Sequence, residues 1–231
     1  MYKKITHTIV EEHFDHPIAS QIKKSLSRSM IINNDILLES KFRADAHSYF
    51  ESYLNHLASL INSVPGTQES FLLEFDNFFK TPWIDGLGNM VKPIYPTEFA
   101  EKLNEALRMI TTTVFSGLQL IRDGKDTGLT FNRIQFITNE LSQTLSTFNT
   151  AWQYQTTNAL FNSLFADIFS LAKAKAAKNT TLEQQLLQKV ATNWATFEKV
   201  FVDGVINQHP ERFTKSTNAP ATLYNNNKDI M

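Results

Sequence analysis

The chain contains no cysteine, and it has little glycine, proline or charge. The absence of cysteine excludes disulfides, thiolate metal ligands and a thiol nucleophile. Only 7 glycines and 7 prolines occur among 231 residues, and they are clustered, which favours long helices over many short strands. Charged residues make up 19% of the chain, below the usual quarter, so Ser, Thr, Asn and Gln supply much of the polar surface.

Net charge and hydrophobic runs exclude further classes of partner. The formal net charge is −1, which gives no reason to expect a nucleic-acid partner or an anionic membrane. No apolar run approaches the roughly 18–20 residues of a transmembrane span. Two lysines near the start are followed by Glu11, Glu12 and Asp15 rather than by an apolar signal core, so the expected location is the cytoplasm.

Hydrophobic spacing predicts an all-α bundle of about five to six helices. Apolar residues recur every three to four positions along most of the chain, as on one face of a helix. One long central helix is predicted over about 130–178, because that stretch contains neither glycine nor proline. An ordered Pro/Gly/Trp loop is predicted near 81–96, held by four apolar anchors. These anchors are Trp83, Ile84, Leu87 and Ile94.

Proline positions and polar segments also predict how the chain is divided into domains. Residues 1–16 form a polar lead-in, and Pro17 suits the first turn of a helix that begins the bundle. The bundle domain spans 17–208, with a further division into 17–80 and 97–208 left open. His209-Pro210 stops the last helix, and residues 209–231 are predicted to be a flexible tail.

The stretch 134–172 carries only two charged residues, Glu140 and Asp167. In its second half, two apolar lines run side by side, and leaving either line in water would be unfavourable. Either the other helices surround this segment, or one of its faces binds a partner protein, since interface cores are rich in aromatics and poor in charge. The predicted partner-binding residues are Trp152, Phe161, Phe165 and Phe169.

Two groups of histidines and carboxylates are the candidates for metal chemistry, because both residue types ligate zinc and iron. The first group is His7, Glu11, Glu12, His13, Asp15 and His16; the second is Asp45, His47, Glu51 and His56. Neither has the paired Glu-x-x-His spacing of helical di-iron bundles. His47 and Glu51 are four residues apart and can form an ordinary pair on a helix surface. The sequence therefore predicts no metal site, no cofactor and no catalytic residue.

Three functions remain open. The leading hypothesis is a non-enzymatic helical interaction protein: an adaptor or accessory subunit of a bacterial multiprotein assembly such as secretion machinery, or a delivered effector. The second rests on composition: residues 98–206 resemble phasins in their long Ser/Thr/Gln-rich amphipathic helices without cysteine, which implies coating of an apolar granule or lipid surface. The third is a metal-dependent helical enzyme that uses the histidine-carboxylate groups.

Overall fold

The computed structural model describes residues 36–80 and 83–214, and nearly all of them are helical. The helices are α1 Glu39–Ser63, α2 Gln68–Phe79, α3 Trp83–Val91, α4 Thr97–Arg122, α5 Gly128–Phe148, α6 Tyr154–Ala176 and α7 Thr180–Gln208. Two strands of two residues, β1 Leu37–Leu38 and β2 Phe213–Thr214, pair in parallel at the ends of this part. The predicted all-α bundle is therefore confirmed. The predicted lead-in over 1–16 and the first predicted helix lie outside the described residues.

Local sequence signals account for the buried line of α1 and for the caps of α2 and α7. In α1 the four-residue spacing of Phe42, Ala46 and Phe50 forms a buried line. Thr67 caps α2, and its hydroxyl accepts the backbone N–H of Ser70 at 3.2 Å. The cap of α7 is Asn179, whose side chain accepts the N–H of Leu182 at 3.1 Å. None of these helices is long and apolar enough to cross a bilayer.

The single long helix predicted over 130–178 is wrong in one respect: it is two helices, α5 and α6, joined by a turn at 149–153. No glycine or proline causes the break. The side chain of Asn149 provides a hydrogen bond inside the turn, since its Oδ1 accepts the N–H of Ala151 at 2.8 Å. Gln208 on α7 provides two more hydrogen bonds to this turn. Its amide nitrogen donates to the carbonyl of Phe148, and its amide oxygen accepts the N–H of Thr150. Tertiary partners thus replace the hydrogen bonds that a continuous helix would make.

The predicted loop near 81–96 also needs correction, because α3 occupies most of it. Its glycines serve close packing rather than a turn. A Cβ on Gly86 would lie 2.3 Å from the ring of Tyr49, and one on Gly88 would lie 2.0 Å from Asn104 Oδ1. The expected anchors do face inward: Trp83, Ile84 and Leu87 are buried and Ile94 is partly buried.

One continuous hydrophobic core joins the helices and includes residues on both sides of 81–96. Helix α6 is central, since it packs against α1, α4, α5 and α7. A cluster of aromatic rings fills the space between α1, α3 and α7. Within it, Tyr53 stacks on Trp194 at 4.7 Å between ring centroids, and lies 4.1 Å from Trp83. The core therefore does not divide at the loop between the two halves of the chain.

Residues 209–214, assigned to the tail from sequence, are part of this fold. A 3₁₀ turn at Pro210–Arg212 leads into β2, which pairs with β1 so that Leu37 lies opposite Phe213. Residues 215–231 lie outside the described part of the chain. The described residues all belong to one compact unit, Ile36–Met231.

Candidate interaction surface

The four predicted partner-binding residues are core residues. Trp152, Phe161, Phe165 and Phe169 are at most 4% exposed. Both apolar lines of α6 face neighbouring helices, because α6 is surrounded on its α1, α4, α5 and α7 sides. Their side chains are thus unavailable to a partner while the bundle is folded, and the predicted docking face is not at these positions. Burial within the same chain explains the aromatic composition of this stretch.

The surroundings of Trp152 show how completely this region is used for packing. Its ring stacks on Phe201 at 5.0 Å, and its Nε1 lies 3.2 Å from the carbonyls of Val200 and Phe201. Gly204 leaves room for the indole, since a Cβ there would lie 2.0 Å from Nε1. A side chain held in this way is part of the structural core.

Histidines and carboxylates do not gather into a metal site in the part of the chain that the structure describes. No group of three or more possible ligands occurs there. His47 pairs with Glu198 on α7 at 3.0 Å rather than with Glu51, and His56 is half-buried at the border of the core. The first group, which contains His7, His13 and His16, lies outside the described residues.

A buried polar cluster lies where the 92–96 turn, the 149–153 turn and the end of α7 meet. The amide of Asn149 donates to the hydroxyl of Tyr95 at 2.6 Å and to the carbonyl of Gly204 at 2.9 Å. Burial raises the pKa of the Tyr95 hydroxyl, and the bond from Asn149 acts in the opposite direction. Because each of these contacts joins one segment to another, the cluster stabilises this end of the bundle.

Helix α2 buries only part of its apolar side chains in the core. Phe71 and Phe78 are fully buried, and the ring centroid of Phe78 lies 4.9 Å from that of Tyr53 on α1. Phe75, half-buried, stacks on Phe115 of α4 at 3.6 Å. These contacts fix one side of α2 against α1 and α4 and leave its other side in solvent.

The exposed side of α2 carries large apolar side chains next to those rings. Leu72 is 44% exposed, Phe79 is 38% exposed and Leu73 is 59% exposed. Phe79 lies 5.8 Å from Phe75, which continues the surface toward Phe115. We call the surface formed by Leu72, Phe75, Phe79 and Phe115 the α2 edge; Leu73 lies beyond Asp76 and Lys80 around the helix and is not part of it. A contiguous exposed apolar surface is typical of a binding site, whereas single exposed apolar residues are not.

Charges border the α2 edge without covering it. Asp76 forms an ion pair with Lys80 four residues later, and both side chains are exposed. Glu69, in the first turn of α2, has no ion-pair partner among the described residues. At the start of α2, the guanidinium of Arg122 lies 5.8 Å from the ring of Phe71.

Two other exposed apolar residues lie on α5 and provide a contrast. Leu129 is 85% exposed and Phe136 is 66% exposed, seven residues apart on the side of α5 that faces away from the core. Arg133 and Glu140 flank them on the same exposed side. No contact with another aromatic ring is recorded for Phe136 in the described part, so the pair does not extend an aromatic cluster.

The α2 edge was missed at the level of sequence, although a signal was present. The Phe-rich stretch Phe71, Leu72, Phe75, Phe78 and Phe79 is easily taken as a single core face. On a helix, however, Leu72 and Phe79 lie about 100° around the axis from Phe71 and Phe78. A short peripheral helix cannot bury an arc that wide against two neighbours, and this mismatch points to the exposed surface.

Comparison with known proteins does not assign the chain to a family. No protein-family model, no curated protein sequence and no solved structure matches it.

Proposed function

We propose that the protein is a non-enzymatic helical interaction protein, an adaptor or accessory subunit of a bacterial multiprotein assembly or a delivered effector, and that it binds another protein through the α2 edge. The observation that supports this is the exposure of Leu72 and Phe79 beside the Phe75–Phe115 stack. No other exposed apolar side chains in the described residues adjoin a stacked aromatic pair in this way.

The spacing of the α2 edge suits insertion into a groove. Leu72, Phe75 and Phe79 follow one another at intervals of three and four residues, the spacing of the apolar anchors of a helix that binds in a groove. The occupant we propose is a different protein whose apolar groove receives the exposed side of α2.

The exposed fractions of Leu72 and Phe79 set their expected contribution to the free energy of binding. Full burial of a Leu or Phe side chain is worth roughly 1.5–3 kcal/mol. Leu72 and Phe79 have about two fifths of that burial still to gain. Covering both is then worth roughly 1–2.5 kcal/mol, which corresponds to about a 5- to 60-fold change in affinity.

The test compares two matched double variants in a pull-down with quantitative mass spectrometry. Leu72→Gln with Phe79→Gln alters the α2 edge, and Leu129→Gln with Phe136→Gln alters the α5 pair at the same seven-residue spacing. We expect a partner that the wild type and the α5 variant retain and that the α2 variant loses. The affinity of the purified pair then gives the fold-change. Retention of that partner by the α2 variant, or a monomeric protein that retains no partner, would refute the proposal.

Two alternatives have their own assays. In the granule-coating hypothesis, the helices over 98–206 must turn apolar faces to a surface, whereas in the described bundle those faces point into the core. Flotation with oil emulsions and polymer particles tests it, because binding without any partner protein would favour it. Elemental analysis of protein purified without an affinity tag tests the metal-enzyme hypothesis, and stoichiometric iron, manganese or zinc would favour that hypothesis.

A further inference from the structure

A polar groove lies between α6 and α7 on the outside of the bundle. Its volume is about 340 Å³, at the lower end of the range for small-molecule sites. The two helices pack closely, and neighbours of the lining residues are buried in each of them, among them Leu164 and Ile168 of α6 and Val190 and Trp194 of α7. The groove is therefore carried by a rigid pair of helices. Its lining consists of Ser163, Asp167, Gln188, Lys189, Thr192 and Asn193.

Asp167 and Asn193 are the partly buried members of this lining, and they hold each other in place. The amide nitrogen of Asn193 donates to Oδ2 of Asp167 at 2.9 Å and to the hydroxyl of Ser163 at 3.1 Å. Because both amide hydrogens are used, the carboxylate fixes which end of the amide faces it. The amide oxygen of Asn193 and Oδ1 of Asp167 accept no hydrogen bond from the described residues, so both acceptors are free for a ligand.

The charge of Asp167 is not balanced by a cation in the described part of the chain. Asp167 is one of only two charged residues in 134–172, and its hydrogen-bond donor is the neutral amide of Asn193. Lys189 lines the same groove, but the two side chains form no ion pair. Hydrogen bonds between charged groups are shorter and about twice as strong as neutral ones. The space between Asp167 and Lys189 therefore suits a molecule with one positive and one negative end.

We propose that the α6–α7 groove binds a free α-amino acid with an uncharged polar side chain. The ammonium group of the ligand donates to Asp167 and to the amide oxygen of Asn193, and its carboxylate pairs with Lys189. The other lining groups are uncharged amides and hydroxyls, which match an amide or hydroxyl side chain. This inference is independent of the α2 edge, because no residue of α2 or α4 lines the groove.

Isothermal titration calorimetry of the full chain with L-glutamine tests the site. We expect saturable binding at ligand concentrations below about 10 mM. N-acetyl-L-glutamine lacks the ammonium group, and methylamine lacks the carboxylate. Each should bind at least about 10-fold more weakly than L-glutamine, because each loses one contact between charged groups.

Three variants assign the contacts. Asp167→Asn keeps an acceptor for Asn193 and removes the charge, so the protein should fold and the Kd for L-glutamine should rise at least about 10-fold. Glu140→Gln is the control: it removes the other charge of 134–172, which is exposed on α5, and should leave the Kd unchanged. Lys189→Gln should weaken the binding of L-glutamine but not that of methylamine. Circular dichroism checks that each variant is folded.

Three results would overturn the proposal. The first is a folded wild-type protein that does not bind L-glutamine in a saturable manner. The second is an equal Kd for Asp167→Asn and Glu140→Gln. The third is methylamine or N-acetyl-L-glutamine binding as tightly as L-glutamine, since the groove would then recognise a single charge, such as a basic side chain of a partner, and not an amino acid. The ligand series on the wild type decides the question even where a variant does not fold.

Discussion

Replacement of Gly204 by alanine should test one of the closest approaches between helix backbone and side chain in the described bundle. A Cβ at this position on α7 would lie 2.0 Å from Nε1 of Trp152, 2.6 Å from its Cδ1 and 2.9 Å from its Cε2. The indole cannot easily move away, because it stacks on Phe201 and its Nε1 lies within 3.2 Å of two carbonyls. The backbone of α7 or the 149–153 turn must therefore shift.

The expected change in the free energy of unfolding combines two destabilising effects and one stabilising effect. Extra volume in a packed core typically costs about 1–3 kcal/mol. Weakening the hydrogen bond of the indole N–H costs about 1 kcal/mol more. Alanine is favoured over glycine in a helix interior by about 1 kcal/mol, so a net loss of about 1–3 kcal/mol remains. For a chain of this size that corresponds to a decrease in Tm of about 2–12 °C.

Urea denaturation followed by circular dichroism and tryptophan fluorescence measures this loss. Gly128→Ala is the control, because the nearest atoms to a Cβ there belong to the exposed carboxylate of Asp126, at 3.1 Å. Combining Gly204→Ala with Trp152→Phe removes the clashing atoms, so the double variant should be less destabilised than the sum of the two single variants. A Gly204→Ala protein within about 0.5 kcal/mol of the wild type would refute the packing argument.

Two further predictions concern buried groups. Phe165→Asp should prevent folding, because removing a buried Phe already costs about 3–5 kcal/mol and the new carboxylate has no partner, whereas Phe136→Asp on the surface should leave the circular dichroism spectrum unchanged. A folded Phe165→Asp protein would contradict the core assignment. Burial raises the pKa of Tyr53 and of Tyr95 above the ordinary value of 10.0, so the unfolded chain ionises first as the pH rises. The free energy of unfolding should then fall above about pH 10, by up to about 1.4 kcal/mol per pH unit for each tyrosine. Denaturant titrations from about pH 9 to 11 should show a smaller slope for Tyr95→Phe, and equal slopes would contradict the burial effect.

The candidate site shows why sequence reasoning located aromatic residues but not their exposure. Phe165 and Phe79 are both in apolar, Phe-rich stretches with helical spacing. The first lies on α6, which four helices surround, and the second on α2, which only α1 and α4 contact closely. Position in the bundle, which depends on residues far away in the chain, decides which of them meets water.

The sequence by itself determined the helical class, the inward-facing lines of α1, α4 and α7, and the cap at Thr67, because these depend on spacing and on contacts within one turn. The tertiary structure decided the break at 149–153 and the helix at Trp83–Val91. In the first case Gln208, distant in sequence, supplies hydrogen bonds that replace a helical turn. In the second, glycines that usually interrupt a helix are favoured, since Tyr49 and Asn104 occupy the space where their side chains would be.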